Sequence, residues 1–176
     1  MLFVPKQDRK LQLVVDYRAL NAITTKDRYT LPLIHEIQDR FQGLAIFTKI
    51  DLCRAYNLVR IKEKEEWKTA FRTRYRYYKY TIIPIGLTNA LASWQRLINN
   101  VLREYLDVFV VVYLDNILIY SKEKKQYTEH VRKVFERLEK AKLKVNLEKC
   151  VFNIQRVEFL GYIITTTGVE MSDRKI

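Results

Sequence analysis

The segment VFVVVYLDNILIY, residues 108–120, constrains this chain more than any other. Two very apolar runs, 108–114 and 117–120, flank Asp115-Asn116, so the stretch reads as a β-hairpin with an acid at its tip. A third apolar strand, AIFTKID at 45–51, also ends in an acid, Asp51. The two acids are expected side by side, at a strand end and a neighbouring hairpin tip.

The rest of the chain organises around these strands. Residues 1–16 read as two short strands around the polar turn Gln7-Asp8-Arg9-Lys10. Pro32 opens a helical stretch from Leu33 to Phe41, which Gly43 stops. A short turn or helix is expected at Leu52–Asn57, then extended segments at 58–61, 68–75 and 77–83. From Thr88 to Leu106, Leu91, Trp94, Ile98, Val101, Leu102 and Tyr105 recur at helical spacing. Lys124 to Lys142 repeats that pattern with Val131, Val134, Phe135 and Leu138. Cys150 to Thr166 reads as two strands around Gln155-Arg156, with a further turn at Gly168. Helices mixed with largely antiparallel strands make an α+β domain, helices packed behind one sheet, the expected architecture.

Composition narrows the partners. Thirty-two Lys and Arg against 20 Asp and Glu leave a net charge of +12, which attracts polyanions, nucleic acid first. Arg72, Arg74 and Arg76 cluster, and 12 tyrosines accompany the basic residues. Such a mixture suits phosphate contact and base stacking. No apolar run reaches the roughly 18 residues of a membrane span, so no membrane partner is expected. Two distant cysteines, Cys53 and Cys150, fit reduced thiols in an intracellular protein, cytoplasmic or nuclear.

Asp51 and Asp115 admit two readings. Carboxylates on adjacent strand ends can share a pair of divalent ions about 3.5–4 Å apart, the arrangement of two-metal phosphoryl transfer. Mg²⁺ is commonly held by one or two carboxylates plus substrate phosphates. Equally, Asp-Asn is a good hairpin turn and Asp51 could cap the turn that follows it.

Seven stretches decide between them. LVVDYRALNAITTKDRYTLPLI at 13–34, FTKIDLCRAYNLVRI at 47–61, EWKTAFRTRY at 66–75, PIGLTNALASWQRLINNVL at 84–102, VVVYLDNILIYS at 110–121, LEKC at 147–150 and VEFLGYII at 157–164 together resemble the reverse transcriptases of Ty3/gypsy-type long-terminal-repeat retrotransposons. The resemblance spans residues 1–176 and implies a right-hand fold, limited to fingers and palm. The thumb, ribonuclease H and integrase regions are expected to lie outside this sequence. It implies RNA-directed DNA polymerase activity on an RNA or DNA template with primer, using deoxynucleoside triphosphates and Mg²⁺ or Mn²⁺.

Residue by residue, the resemblance assigns Asp51 and Asp115 to the metals, with Asn116 standing where a further catalytic acid belongs. Tyr56 matches the aromatic beneath the nucleotide sugar. Pro84, Gly86 and Gln95 match the turn and helix behind the templating pair. Lys6 resembles a lysine that reaches the triphosphate, and Lys149 one proposed to protonate departing pyrophosphate. Phe159, Leu160, Gly161 and Tyr162 resemble the strand that grips the primer end. Gln12 replaces an arginine that contacts the triphosphate, and a neutral amide cannot make that bidentate, charge-assisted contact. The activity is therefore expected to be impaired, by Asn116 at the metals, by Gln12 at the triphosphate and by truncation before the thumb. The alternative is a catalytically inactive nucleic-acid-binding remnant of such an element. A protein-interaction domain without nucleic-acid binding has no positive support in the residues. The sequence leaves the oligomeric state open.

Overall fold

The computed structural model describes residues 2–5, 11–29, 41, 43–53 and 58–172. The chain forms two compact units, one of residues 1–29 and 54–94, the other of 30–53 and 95–176.

In the first unit, β1 (Leu2–Pro5) and β2 (Leu11–Val14) pair antiparallel, the two short strands expected around the polar turn at 7–10; that turn lies outside the described residues. A short helix follows, α1 (Arg18–Ile23), unanticipated because six residues are too few to show a period. Two asparagines join it and the residues that follow it to the segment before the next helix. Asn21 donates from Nδ2 to the Gly86 carbonyl at 2.7 Å and accepts the Thr88 N–H at 2.9 Å. Asn89 accepts the Asp27 N–H and donates to the Thr25 carbonyl. The buried Tyr17 hydroxyl donates to the Thr69 carbonyl at 2.9 Å, and burial pushes its pKa up to about 12.

The extended run expected at 68–75 opens instead inside a 3-10 turn, Glu66–Thr69. The Thr69 hydroxyl closes it by donating to the Glu66 carbonyl, and accepts the Tyr80 N–H. Side-chain capping of this kind competes with strand pairing. Only the two-residue strands β4 (Phe71–Arg72) and β5 (Tyr77–Tyr78) remain.

The second unit holds the main sheet. β3 (Ile46–Asp51), β6 (Val110–Tyr113), β7 (Asn116–Ser121) and β8 (Val151–Ile154) pair antiparallel in the order β6-β7-β3-β8. Ile117 to Ser121 are all buried. Both faces of β7 are therefore covered, which is why its sequence is a continuous apolar run and not an alternating one.

The helix expected over 88–106 is α2 (Ala90–Val101), shorter because the chain tightens after it. Asp107 takes a left-handed φ of 64°, and the N–H groups of Val108, Phe109 and Val110 all turn onto the Tyr105 carbonyl. The second expected helix is α3 (Lys124–Lys140), which packs on β7 and β3 with Val134 and Leu138 buried. Its C-terminus is closed by Lys142 N–H to Glu139 O and Leu143 N–H to Leu138 O, with Lys142 left-handed, the Schellman pattern without a glycine. The Tyr127 hydroxyl ties α3 to the sheet, 2.6 Å from Thr48 Oγ1 and accepting the Asn153 N–H at 2.9 Å.

The C-terminal segment differs from the two expected strands. β8 joins the main sheet, and the break at Gln155 sends the chain into a second sheet, β9 (Arg156–Phe159), β10 (Tyr162–Thr165) and β11 (Gly168–Met171), in the order β9-β10-β11. The helix expected at 33–41 lies outside the described residues except for Phe41, as does 54–57 of the expected turn. No helix among the described residues is long and apolar enough to cross a membrane.

Candidate active site

The site grows from the register of three strands. Tyr113 pairs with Asn116, so the loop of the hairpin is Leu114-Asp115. This corrects the expected Asp115-Asn116 tip by one residue and makes Asn116 the first residue of β7. Leu114 adopts φ 56°, a left-handed conformation that costs a branched residue about 1–2 kcal/mol. The buried side chain of Gln95 holds it there. Gln95 Oε1 accepts the Leu114 N–H at 2.8 Å, while Nε2 donates to the Val112 carbonyl at 3.1 Å and to Asn99 Oδ1 at 2.9 Å. Gln95 is fully buried, and its amide positions the hairpin.

β3 delivers the second acid. Asp51 lies directly opposite Asn116, and the Leu52 N–H donates to the Asp115 carbonyl at 3.0 Å. Asp51, Asp115 and Asn116 therefore share one end of the sheet, each half-buried. Burial pushes the Asp51 carboxyl above its ordinary range. Lys149 opposes that shift, Asp115 adds to it, and Lys49 opposes it. A carboxylate held out of water beside another carboxylate is short of positive charge.

The chain segment from 144 to 150 closes the other side of Asp51. The Cys53 N–H donates to the Lys144 carbonyl and the Asn146 N–H to the Asp51 carbonyl. The Asp51 N–H reaches Cys150 Sγ at 3.4 Å. Leu147–Lys149 forms a 3-10 turn, which brings Lys149 within electrostatic reach of Asp51. Cys150 is a contact of the site that sequence reasoning passed over as an ordinary thiol. The signal was present in LEKC, which sets it beside the matched lysine.

The other candidates are placed as follows. Phe159 pairs with Tyr162 across the two-residue loop Leu160-Gly161, whose φ values of 56° and 76° are those of a type I′ turn. Phe159 is buried, and Leu160, Gly161 and Tyr162 are half-buried. Gln12 and Gly86 belong to the other unit. Gln12 sits in β2 opposite Val4, and Gly86 has φ 106°, a value open to glycine alone. Lys6 and Tyr56 lie outside the described residues. A cleft of about 550 Å³ between α1, Glu66–Thr69 and Leu87–Asn89 contains none of the candidate residues.

Among the described residues, no three His, Cys, Asp or Glu gather as a metal cluster. The donors at the sheet end are two carboxylates and an amide. That set fits a hard divalent ion whose remaining positions are filled by substrate oxygens and water, and does not fit an all-protein cage.

Residues 4–164 match the family described as reverse transcriptase (RNA-dependent DNA polymerase). The Transposon Tf2-7 polyprotein of Schizosaccharomyces pombe is 41% identical over 168 residues, 96% of this chain and 13% of the relative. The Tf2-3 polyprotein of the same organism is 40% identical over the same extent. Both are Ty3/gypsy-type polyproteins, and the chain spans about an eighth of their length. Among solved structures, the foamy viral protease-reverse transcriptase dRH in complex with double-stranded DNA superposes with a TM-score of 0.88 at 27% identity, over 98% of this chain and 30% of that one. The foamy viral protease-reverse transcriptase in complex with an RNA/DNA hybrid gives 0.82 at 25%, over 98% and 23%. With its acid-bearing sheet end, its match over nearly its whole length and its retrotransposon relatives, this chain belongs to the reverse transcriptase family.

Proposed function

We propose that this chain is the fingers-and-palm part of a retrotransposon RNA-directed DNA polymerase, joining deoxynucleotides to a primer 3′-hydroxyl on an RNA or DNA template. The observation that carries the reading is Asp51 facing Asn116 across β3 and β7, with Asp115 in the adjoining loop. With Mg²⁺ or Mn²⁺ bound there, the ions would acidify the primer hydroxyl and neutralise charge on the transferring phosphate. Asp51 and Asp115 would hold them.

The protein's own groups account for the rest. Lys149 lies near Asp51, where a cation can stabilise or protonate a departing pyrophosphate. The Leu160-Gly161 turn is the backbone that would meet a primer end, and the relatives solved with duplexes support a nucleic-acid partner. Gln12 offers an amide where a guanidinium would grip the triphosphate. Asn116 withholds a charge from the metals, which favours a second reading: a nucleic-acid-binding remnant without catalysis. The free cysteines Cys53 and Cys150 support an intracellular setting, cytoplasmic or nuclear.

Single-nucleotide incorporation on a primer–template with Mg²⁺ or Mn²⁺ tests the proposal. Slow incorporation that Asp51→Asn abolishes is expected. If Asn116→Asp combined with Gln12→Arg yields no incorporation even with Mn²⁺, the binding-remnant reading replaces it.

A further inference from the structure

The hairpin of β4 and β5 exposes rings that packing does not explain. Tyr75 is 83% exposed and Tyr77 74%, high for aromatic side chains. Around them stand Arg72, Arg74, Arg76 and Lys79, all exposed. None of the four makes an ion pair among the described residues. From Trp67 to Trp94 the sequence contains no Asp or Glu. Residues 72–79 also contain no aliphatic side chain, so the hairpin lacks the apolar patch of a protein-docking surface.

The element is built to present these groups. Thr73 ties its turn: the Thr73 N–H and Oγ1 both donate to the Arg76 carbonyl, at 2.8 and 3.0 Å, and Oγ1 accepts the Tyr75 and Arg76 N–H groups. Its base is an aromatic stack in which Phe71 lies 5.9 Å from Tyr78 and 5.4 Å from Tyr80. Tyr80 is held in turn by Thr69. Phe71 and Tyr78 are opposed across the strands, and so are Arg72 and Tyr77. Because side chains alternate along a strand, Arg72 and Tyr77 occupy the face opposite the stack. The Arg74 guanidinium lies 5.7 Å from the Tyr75 ring centroid. A base stacked on Tyr75 would therefore have a cation at hand for its phosphate.

Resting on the nucleic-acid reading above, we propose that this hairpin is a sequence-tolerant site for an unpaired stretch of nucleic-acid strand, the bases stacking on Tyr75 and Tyr77 and the phosphates meeting Arg72, Arg74 and Arg76. A duplex already stacks its bases on each other and offers such rings nothing. A single strand offers free base faces beside phosphates, which is the combination this surface complements.

The test uses fluorescence anisotropy with the 176-residue chain and three probes: labelled oligo(dT), a blunt DNA duplex, and the same duplex with an unpaired 5′ extension. The extended duplex should bind more tightly than the blunt one. Tyr75→Ala and Tyr77→Ala should each weaken oligo(dT) and extended-duplex binding by about tenfold and leave blunt-duplex binding unchanged. Tyr75→Phe and Tyr77→Phe, which keep the rings, should bind like the parent. Replacing Arg72, Arg74 and Arg76 by Gln should lower the salt slope on oligo(dT) by about 2. Equal losses on the blunt duplex, losses in the Phe variants equal to those in the Ala variants, or no gain from the extension would overturn the proposal. If the chain binds blunt duplex but gains nothing from the extension, only the hairpin site falls. If it binds none of the probes, the nucleic-acid reading falls with it.

Discussion

Asn116→Asp restores a carboxylate opposite Asp51, and its effect can be worked from the strand register. Directly opposed residues on antiparallel strands have Cβ atoms roughly 4.5–5.5 Å apart. At about 5 Å and an effective dielectric near 20, two unit charges interact by about 3 kcal/mol. Both positions are half-buried, so solvent screening removes part of this, leaving roughly 1.5 kcal/mol. Without metal, the third carboxylate repels Asp51, whose carboxyl is already raised by burial and by Asp115, and the variant should melt lower than the parent. With a divalent cation the sign reverses and the charge product doubles, so about 3 kcal/mol at similar distance and screening corresponds to roughly 100-fold tighter binding. Mn²⁺ titration followed by electron paramagnetic resonance measures the affinity directly, and melting with and without Mn²⁺ measures the stability. The expected signature is a crossing: the variant less stable than the parent without Mn²⁺ and more stabilised by it. An unchanged Mn²⁺ affinity would refute the reasoning, because it would mean that residue 116 does not face the ion that Asp51 and Asp115 hold.

Three further outcomes follow from the same geometry. Gln95→Ala should leave the Leu114 N–H and Val112 carbonyl without their buried partner and destabilise by about 2–3 kcal/mol in urea unfolding, with single-nucleotide incorporation falling as the hairpin loses its clamp. Gly161→Ala places a Cβ at φ 76° and should cost about 1–2 kcal/mol by the same measurement. For Asp51 the folded state holds the proton more tightly than the unfolded chain, so its contribution to stability is lost as pH rises from the ordinary value of 3.8 through the raised folded value. Metal-free Asp51→Asn should therefore melt higher than the parent at neutral pH, with the difference vanishing near pH 3.8 and below; a difference of opposite sign at neutral pH would mean that Lys149 and Lys49 outweigh burial.

The candidate residues were legible to different degrees. Asp51 and Asp115 stood out because each closes an apolar strand, and such strands pair so as to bury their side chains together. The placement of Lys149 near Asp51 was readable from family resemblance alone, since 98 residues of chain separate the two positions and no local pattern spans that distance. The structural role of Gln95 was not readable: a glutamine on an amphipathic helix looks like any other polar residue until the hairpin it clamps is in place. Cys150 was hidden similarly, its contact being with a backbone N–H on a strand far away in sequence.

What the residues determined alone was element type. The largely apolar stretches at 46–51 and 110–121 made strands, because pairing in one sheet buries most of their side chains together. The three-and-four spacing at 90–101 and 124–140 made helices, and the charge balance together with the seven matched stretches carried the family. Tertiary structure decided register and termination. The loop became Leu114-Asp115 because strand pairing opposes Tyr113 to Asn116, a one-residue choice that hydrophobic pattern leaves undetermined at a hairpin apolar throughout. The helix after Ala90 ended at Val101, where tight turns onto the Leu102 and Tyr105 carbonyls took over the backbone hydrogen bonds, and the strand after Cys150 broke at Gln155, where the chain passes from one sheet to the next. The pairing of β3 with β7 placed an asparagine, and not an acid, opposite Asp51.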